Sequence, residues 1–185
     1  FFFDPVGLLV EPGDAVRFSL ASPHHTISAY HPQLGYRQRV PDGVGPISSP
    51  VLWPESYFLY TFEEPGVYDL FCFPHEFAGM VIRVVVGEAS GPATDPPPEP
   101  TWDEPIPDPE SPIPPHGLAA TVLRDPALEP ETIVEQGSVA WGDLSAETTE
   151  LPPEYFDPSD PGATTAALSA ADQGVFTEAS GSARV

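Results

Sequence analysis

The chain has 185 residues, with 28 acidic and 6 basic side chains that give a formal net charge of −22 at pH 7. All the basic residues are arginines, because the sequence contains no lysine. Binding of nucleic acid through its phosphates is excluded, since such binding needs a basic surface. A lysine-free, acidic surface is typical of a protein kept soluble in molar salt, where charge repulsion is screened within about 3 Å.

Two strands are predicted in the middle of the chain's first half. The turn Glu64-Pro65-Gly66 opens the first strand, over residues 67–72, whose early residues alternate in polarity. The second strand, over 80–86, is rich in β-branched residues. Only a short turn containing Pro74 and Gly79 joins them, so the end of one strand and the start of the next are expected to lie close together.

The proline distribution divides the chain near residue 88. Of the 27 prolines, 17 lie in the part that follows this position. Residues 89–116 lack any apolar periodicity and predict a Pro-rich acidic linker, extended and semi-rigid rather than folded. The alternative reading of this linker, as a proline motif that binds a partner, stays open. Residues 1–88 are therefore expected to form the folded domain.

Order is expected again only in residues 117–144. A short helix is predicted within 125–137, where a proline stands early and Gly137 suits the C-cap, and a brief strand follows at 138–142. Because a segment this short cannot bury a core alone, we expect it to dock on the preceding domain. Residues 145–185 predict a disordered acidic tail. His116 is isolated in the tail and is expected to be free rather than a metal ligand.

A concentrated set of metal donors lies between the two central strands. Cys72 is the only cysteine and Met80 the only methionine, and His75 lies between them. A thiolate, an imidazole and a thioether within nine residues favour copper, whose blue sites use two His and one Cys in a plane with a weak axial Met. Zinc is the alternative metal, but a thioether adds little to a zinc site. Without a metal, the cysteine and methionine would simply pack in the core.

The residues around these donors resemble a known family. The stretches 66–75 and 79–87 are similar to the plastocyanin/pseudoazurin branch of the cupredoxins, and most of all to the halocyanins of halophilic archaea. Upstream, 10–18 resembles the strand-turn-strand that these proteins carry before their first copper ligand. The resemblance covers about residues 1–88. It implies an all-β fold, a cupredoxin Greek-key β-sandwich, here followed by a long Pro-rich acidic tail.

The resemblance also implies a fourth ligand from upstream. His24, His25 and His31 all lie in the right region, and the family pattern favours His25 because Thr26 and a β-branched residue follow it. Thr26 replaces the usual Asn, and its hydroxyl is expected to tie the two ligand loops together. The implied ligands of one type 1 copper ion are His25, Cys72, His75 and Met80.

The function implied is that of an electron carrier and not of an enzyme. Four ligands leave no open position for substrate, and a dinuclear copper centre would need a second cysteine. Phe71 and Phe73 flank the cysteine where multicopper oxidases place histidines. The expected activity is Cu(II)/Cu(I) cycling in a respiratory-type chain. Copper delivery or storage, and a cell-surface module acting through its tail, remain alternatives.

Family resemblance further suggests partners and location. The edge of His75 would be the electron exit, and Pro74, Phe77 and Ala78 would form an apolar patch where redox partner proteins dock. The protein is expected to be a monomer outside the cytoplasmic membrane, at the cell surface or membrane-associated. The first strand of the sandwich, a signal peptide and a membrane anchor are missing from the chain, so we expect a fragment or a processed form whose anchor lies outside the given sequence.

Overall fold

The computed structural model describes residues 1–22, 24–99, 111–115, 117–149 and 174–180, the last range as backbone only. The strands in these ranges are β1 Phe2–Asp4, β2 Gly7–Val10, β3 Asp14–Leu20, β4 Ser28–Ala29, β5 Tyr57–Phe62, β6 Gly66–Phe71, β7 Val81–Val86, β8 Ser138–Val139 and β9 Gly174–Ser180. The α-helices are α1 Leu118–Leu123, α2 Pro130–Gln136 and α3 Ala146–Thr149. No helix in the described ranges has both the length and the apolar composition needed to cross a bilayer.

The strands form two sheets. One has the strand order β1-β9-β3-β5 and the other the order β4-β6-β7-β2-β8. In the second sheet, β6 and β7 form an antiparallel hairpin and β2 runs parallel to β7. The expected all-β sandwich is confirmed, and both strands predicted from the sequence are present as β6 and β7. Their hairpin lies at the centre of the second sheet, where neighbouring strands hold it on both sides.

The core lies between the two sheets. On β3, the side chains of Val16 and Phe18 are buried while Arg17 is exposed, which is the two-residue period of a strand with one buried face. They share one apolar cluster with Tyr68 of β6 and Ile82 of β7. This cluster also contains Cys72 and Met80, so the predicted donors lie at one end of the main core.

The second sheet is buried on its outer face as well. Every residue of β6 and β7 is buried, the continuous pattern of a sheet covered on both sides. Helices α1 and α2 provide the cover: Val122 and Ile133 join an apolar cluster with Phe71 and Val85 of the hairpin. Strand β8 pairs antiparallel with β2. Residues 117–144 therefore lie against the sandwich.

Three buried charges lie beside the hairpin. The carboxylate of Asp69, on β6, is fully buried and accepts hydrogen bonds from Arg39 Nε at 2.7 Å and from Arg83 Nε at 2.8 Å. The guanidinium groups of both arginines are also buried and donate to main-chain carbonyls beyond residue 88, those of Ala93, Asp95 and Leu128. The charges are thus paired, and they join the later segments of the chain to the central hairpin.

The ends of the predicted linker also contact the sandwich. The 3-10 turn Pro92–Thr94 includes the fully buried Ala93. Near the other end, the backbone N–H of Arg37 donates to Ile113 at 2.8 Å. Residues 100–110 and His116 lie outside the described residues. The described ends are therefore held by packing and main-chain hydrogen bonds, which composition alone did not indicate.

The tail differs from the disorder predicted for residues 145–185. Helix α3 begins this region, and β9 pairs in parallel with β1 and antiparallel with β3. The sequence 175–177, Val-Phe-Thr, has the β-branched and aromatic residues that favour a strand. Strand β9 supplies the main-chain partner that joins β1 to β3 in the first sheet. Residues 150–173 and 181–185 lie outside the described part of the chain.

Candidate metal centre

The turn between β6 and β7 carries three of the predicted donors. Cys72 precedes a 3-10 helix over Phe73–Ala78, and Gly79 ends it with a φ of 83°. The N–H of Cys72 donates to the Met80 carbonyl at 3.0 Å, and the N–H of His75 donates to the Cys72 carbonyl at 2.9 Å. These bonds close the turn tightly, so the two sulfur-bearing residues lie side by side at the end of the hairpin.

Gly79 is needed for both its conformation and its size. Its φ of 83° lies in the left-handed region that favours glycine. A Cβ at this position would lie 3.2 Å from side-chain carbons of Leu118 and Val122 on α1. Helix α1 therefore packs directly on the turn, and the glycine permits this close approach.

His25 joins the donors of the turn from another part of the sandwich. Its Nδ1 lies 3.5 Å from the sulfur of Cys72 and 3.1 Å from Nδ1 of His75, whose own distance to the sulfur is 3.4 Å. A point equidistant from these atoms lies about 1.9 Å from each, close to the roughly 2.0–2.3 Å of metal–nitrogen and metal–sulfur bonds. Among the described residues, only these three form such a group of His, Cys and acidic side chains.

Met80 is fully buried and shares the apolar cluster of Cys72. Main-chain hydrogen bonds connect it to Cys72 and to His75. A thioether, two imidazoles and a thiol together make a donor set of soft and intermediate character, as copper prefers. The chemistry of the donors therefore fits the copper ion that the sequence implies.

The protonation states of the donors suit a metal site. Burial, together with nearby positive charge, lowers the pKa of His25 and of His75 to about 4, so both imidazoles are neutral near pH 7. Burial raises the pKa of the Cys72 thiol. A neutral imidazole binds metal without losing a proton, whereas the thiol must release its proton when a metal binds.

Thr26 connects the two loops that carry the donors. Its backbone N–H donates to the sulfur of Cys72 at 3.3 Å, and its hydroxyl oxygen accepts the N–H of Phe73 at 2.8 Å. The tie predicted from the sequence is therefore present. A donor aimed at the sulfur favours the thiolate over the thiol.

The other two upstream histidines are placed differently. His31 is buried, but its Nε2 lies 3.0 Å from the carbonyl of Val44 and its Nδ1 accepts the N–H of Gln33. His24 is exposed and its ring packs edge-on against Trp53. The fold brings His25 to the cluster and assigns the other two to capping and surface packing.

Sequence reasoning missed three contacts around the donors. The hydroxyl of Ser22 lies 2.8 Å from Nε2 of His25. The ring of Phe1 stacks on the imidazole of His75 with centroids 3.9 Å apart. Glu76, which follows His75 in the chain, is buried and accepts a hydrogen bond from the hydroxyl of Tyr30. None of these pairs has a characteristic spacing in the sequence, so no signal in the chain could have found them.

Comparisons with known proteins point to one family. Residues 1–87 match the family model described as copper binding proteins, plastocyanin/azurin family. A pseudoazurin of Paracoccus pantotrophus is 37% identical over 87 residues, which are 47% of this chain and 54% of that protein. A pseudoazurin of Methylorubrum extorquens is 30% identical over 86 residues, which are 46% of this chain and 52% of that protein. The chain thus spans about half the length of these curated relatives.

Solved structures give related matches. A Sinorhizobium pseudoazurin, 21% identical, aligns with a TM-score of 0.49 over 72% of this chain and 83% of its own. A purple cupredoxin from Nitrosopumilus maritimus, 27% identical, aligns with a TM-score of 0.36 over 45% of this chain and 79% of its own.

Proposed function

We propose that this chain, whose residues 1–87 belong to the plastocyanin/azurin family of copper-binding proteins, carries single electrons through one type 1 copper ion. The observation that supports this proposal most is the convergence of His25, Cys72 and His75, whose donor atoms all lie within 4.8 Å of one another. Copper held there would supply a Cu(II)/Cu(I) couple at one end of the sandwich.

We assign four ligands to the ion. His25, Cys72 and His75 would hold the ion as its strong donors, and Met80 would add a weaker thioether donor. The first three are supported by the distances among their donor atoms, and Met80 by its burial and by its place in the chain next to the turn that carries Cys72. Four protein ligands would leave no position on the ion for a substrate, so the chain would transfer electrons and catalyse no reaction.

The contribution of the protein to electron transfer would be to hold the copper-ligating side chains in fixed positions. The Thr26 hydrogen bonds fix the sulfur relative to the upstream loop, and helix α1 packs against the turn at Gly79. Donors that cannot move adopt nearly one geometry in both oxidation states, which keeps the reorganisation accompanying transfer small. The buried core side excludes water from the sulfur.

A redox partner is proposed to dock around His75. This residue is partly exposed, and the neighbouring Phe77 and Phe73 are 57% and 65% exposed. Pro74 and Ala78 complete the apolar patch, where electrons would leave through the imidazole edge. We propose that the protein acts as a monomer in a respiratory-type chain. Because charges are screened at high salt, such a patch would bind through shape and apolar contact.

The setting of the protein is part of the proposal. The family resemblance supports an extracytoplasmic location with membrane association, and the net charge of −22 without lysine supports a haloarchaeal source. We also propose residues 1–88 as the copper domain, with 117–144 docked on it through α1, α2 and β8.

The proposal is tested by loading the purified chain with Cu(II) and recording its visible spectrum beside that of Cys72→Ser. An intense thiolate-to-copper charge-transfer band, absent in the variant, is expected, together with a reversible one-electron couple. A weak band unchanged by the substitution would refute the ligand set. Ready transfer of copper to a chelator, with no reversible couple, would instead favour copper delivery or storage.

A further inference from the structure

The side chain of Ser22 makes a contact that the four proposed ligands leave unexplained. Its hydroxyl oxygen lies 2.8 Å from Nε2 of His25, and both side chains are buried, Ser22 being 7% exposed and His25 0%. Ser22 itself lies outside the donor cluster. The contact is therefore made to the imidazole edge opposite Nδ1, the nitrogen that faces the other donors.

The two nitrogens of this ring have different tasks. Nδ1 lies near the sulfur of Cys72 and Nδ1 of His75, so it is the nitrogen that would bind a metal. Binding requires a lone pair at Nδ1, and the neutral ring then carries its proton at Nε2. A buried N–H without an acceptor is destabilising, because it has given up its hydrogen bond to water without a replacement. Ser22 provides the acceptor at the required position.

The main chain fixes the position of His25 but not the rotation of its ring. The backbone of His25 is held by pairing with Leu52, whose N–H donates to the His25 carbonyl at 2.8 Å. The ring can still turn about its side-chain bonds unless a directional contact prevents it. The hydrogen bond to Ser22 is such a contact, and it points Nδ1 toward the cluster.

We propose that Ser22 is a positioning residue that holds the His25 imidazole in the orientation in which Nδ1 faces the donor cluster and Nε2 has a hydrogen-bond partner. A hydroxyl both donates and accepts, so it satisfies Nε2 whichever nitrogen carries the proton. The ring therefore keeps its ligating orientation before copper arrives and after it is released. This inference rests on the proposed function, because it concerns the same copper site.

The first test uses the wild-type chain. Nitrogen-15 NMR of His25 in the diamagnetic Cu(I) form is expected to show a proton at Nε2 that exchanges slowly with solvent. A proton at Nδ1, or a rapidly exchanging Nε2 proton, would overturn the inference even if the blue copper site is present.

The second test compares variants by competition for copper with a chelator. Ser22→Ala is expected to weaken copper binding about 10–100-fold, the usual effect of losing a group that orients a ligand. Ser22→Thr, which keeps the hydroxyl, is expected to restore most of the affinity. Ser49→Ala is the matched control, because Ser49 is similarly buried, at 8% exposed. Its hydroxyl accepts the N–H of Ile27 and makes no hydrogen bond to a proposed copper ligand.

The outcomes separate this inference from the proposed function. A blue site in the wild-type chain with equal copper affinity in Ser22→Ala would overturn the role of Ser22 and leave the carrier function standing. Failure of Ser22→Ala to fold would also overturn it, since it would make Ser22 a structural residue. Absence of a blue site in the wild-type chain would refute the function itself.

Discussion

The hydroxyl oxygen of Thr26 accepts the backbone N–H of Phe73 at 2.8 Å, across 47 residues of sequence. Thr26 follows His25 directly, and Phe73 follows Cys72. The bond therefore joins the loop that carries the isolated donor to the turn that carries the others. The N–H that Thr26 donates to the Cys72 sulfur strengthens the same junction.

Replacement of Thr26 by valine should weaken this junction. The substitution leaves the N–H of Phe73 without its acceptor, which costs about 1–3 kcal/mol when the group is buried. Urea denaturation of the metal-free protein measures the loss. Thr26→Ser keeps the hydroxyl and should lose less than Thr26→Val; a larger loss in Thr26→Ser would show that the methyl group, rather than the hydrogen bond, matters.

Substitution of the three upstream histidines should identify the ligand. His25→Gln is expected to abolish the charge-transfer band, because His25 alone of the three lies at the cluster. His31→Gln should keep the band and lower stability, since His31 makes hydrogen bonds with Val44 and Gln33. His24→Gln should leave both unchanged. Visible spectra and denaturation curves of the variants provide the measurements; a band that survives His25→Gln would contradict the assignment.

Met80→Leu should keep the blue band and raise the reduction potential. The exchange nearly conserves volume and typically costs under about 1.5 kcal/mol. Loss of the weak axial donor disfavours Cu(II), which needs more electron donation than Cu(I) does, and the axial ligand is a known determinant of the potential. Cyclic voltammetry measures the change. An unaltered potential would indicate that the thioether does not interact with copper.

Neutralisation of Asp69 should be among the most destabilising single changes. Asp69→Asn leaves Arg39 and Arg83 buried without their counter-charge, and breaking such a buried arrangement costs about 3–5 kcal/mol. Glu99→Gln is the control, because its ion pair with Arg124 is largely exposed and should contribute at most about 1 kcal/mol. The denaturation midpoints of the two variants measure this difference in stability. Similar losses of stability in Asp69→Asn and Glu99→Gln would contradict the prediction.

The metal-free protein should lose stability as the pH falls from about 6.5 to 4. The pKa values of His25 and His75 are about 4 in the folded protein, below their ordinary 6.5. The unfolded chain therefore binds more protons throughout this window, which lowers the free energy of unfolding as the pH decreases. NMR titration of the two imidazoles should give midpoints near the lower value. Midpoints near 6.5 would show that the rings are hydrated in the metal-free state.

The sequence could predict the donors of the turn because they are local. Cys72, His75 and Met80 lie between two strands with clear signals, and a short turn leaves few possible arrangements. The family pattern was needed to choose His25. Asp69 shows what pattern reading cannot supply: a carboxylate within a strand suggests a solvent-facing position, yet this one is fully buried because two arginines distant in sequence pair with it.

Strand β9 could not be predicted from amino-acid composition for a related reason. Residues 145–185 have the polar, acidic composition of a disordered tail, and the seven residues of β9 change the average composition of that region very little. Pairing with β1 and β3 is a property of the assembled sheet. The proposed role of Ser22 likewise could not be predicted, because it depends on how the His25 imidazole is oriented in the folded protein.

The closeness of three donors in the chain also affects how copper couples to folding. Cys72, His75 and Met80 lie within nine residues, so the unfolded polypeptide already offers a partial chelate. A metal that binds the unfolded state stabilises the native state by less than its native affinity suggests. The native fold adds His25, which comes from 47 residues upstream of Cys72, and a dry surrounding. The increase in melting temperature on copper binding should therefore reflect only the extra affinity that His25 and the exclusion of water give to the native state. A nascent chain could also acquire its metal before it folds.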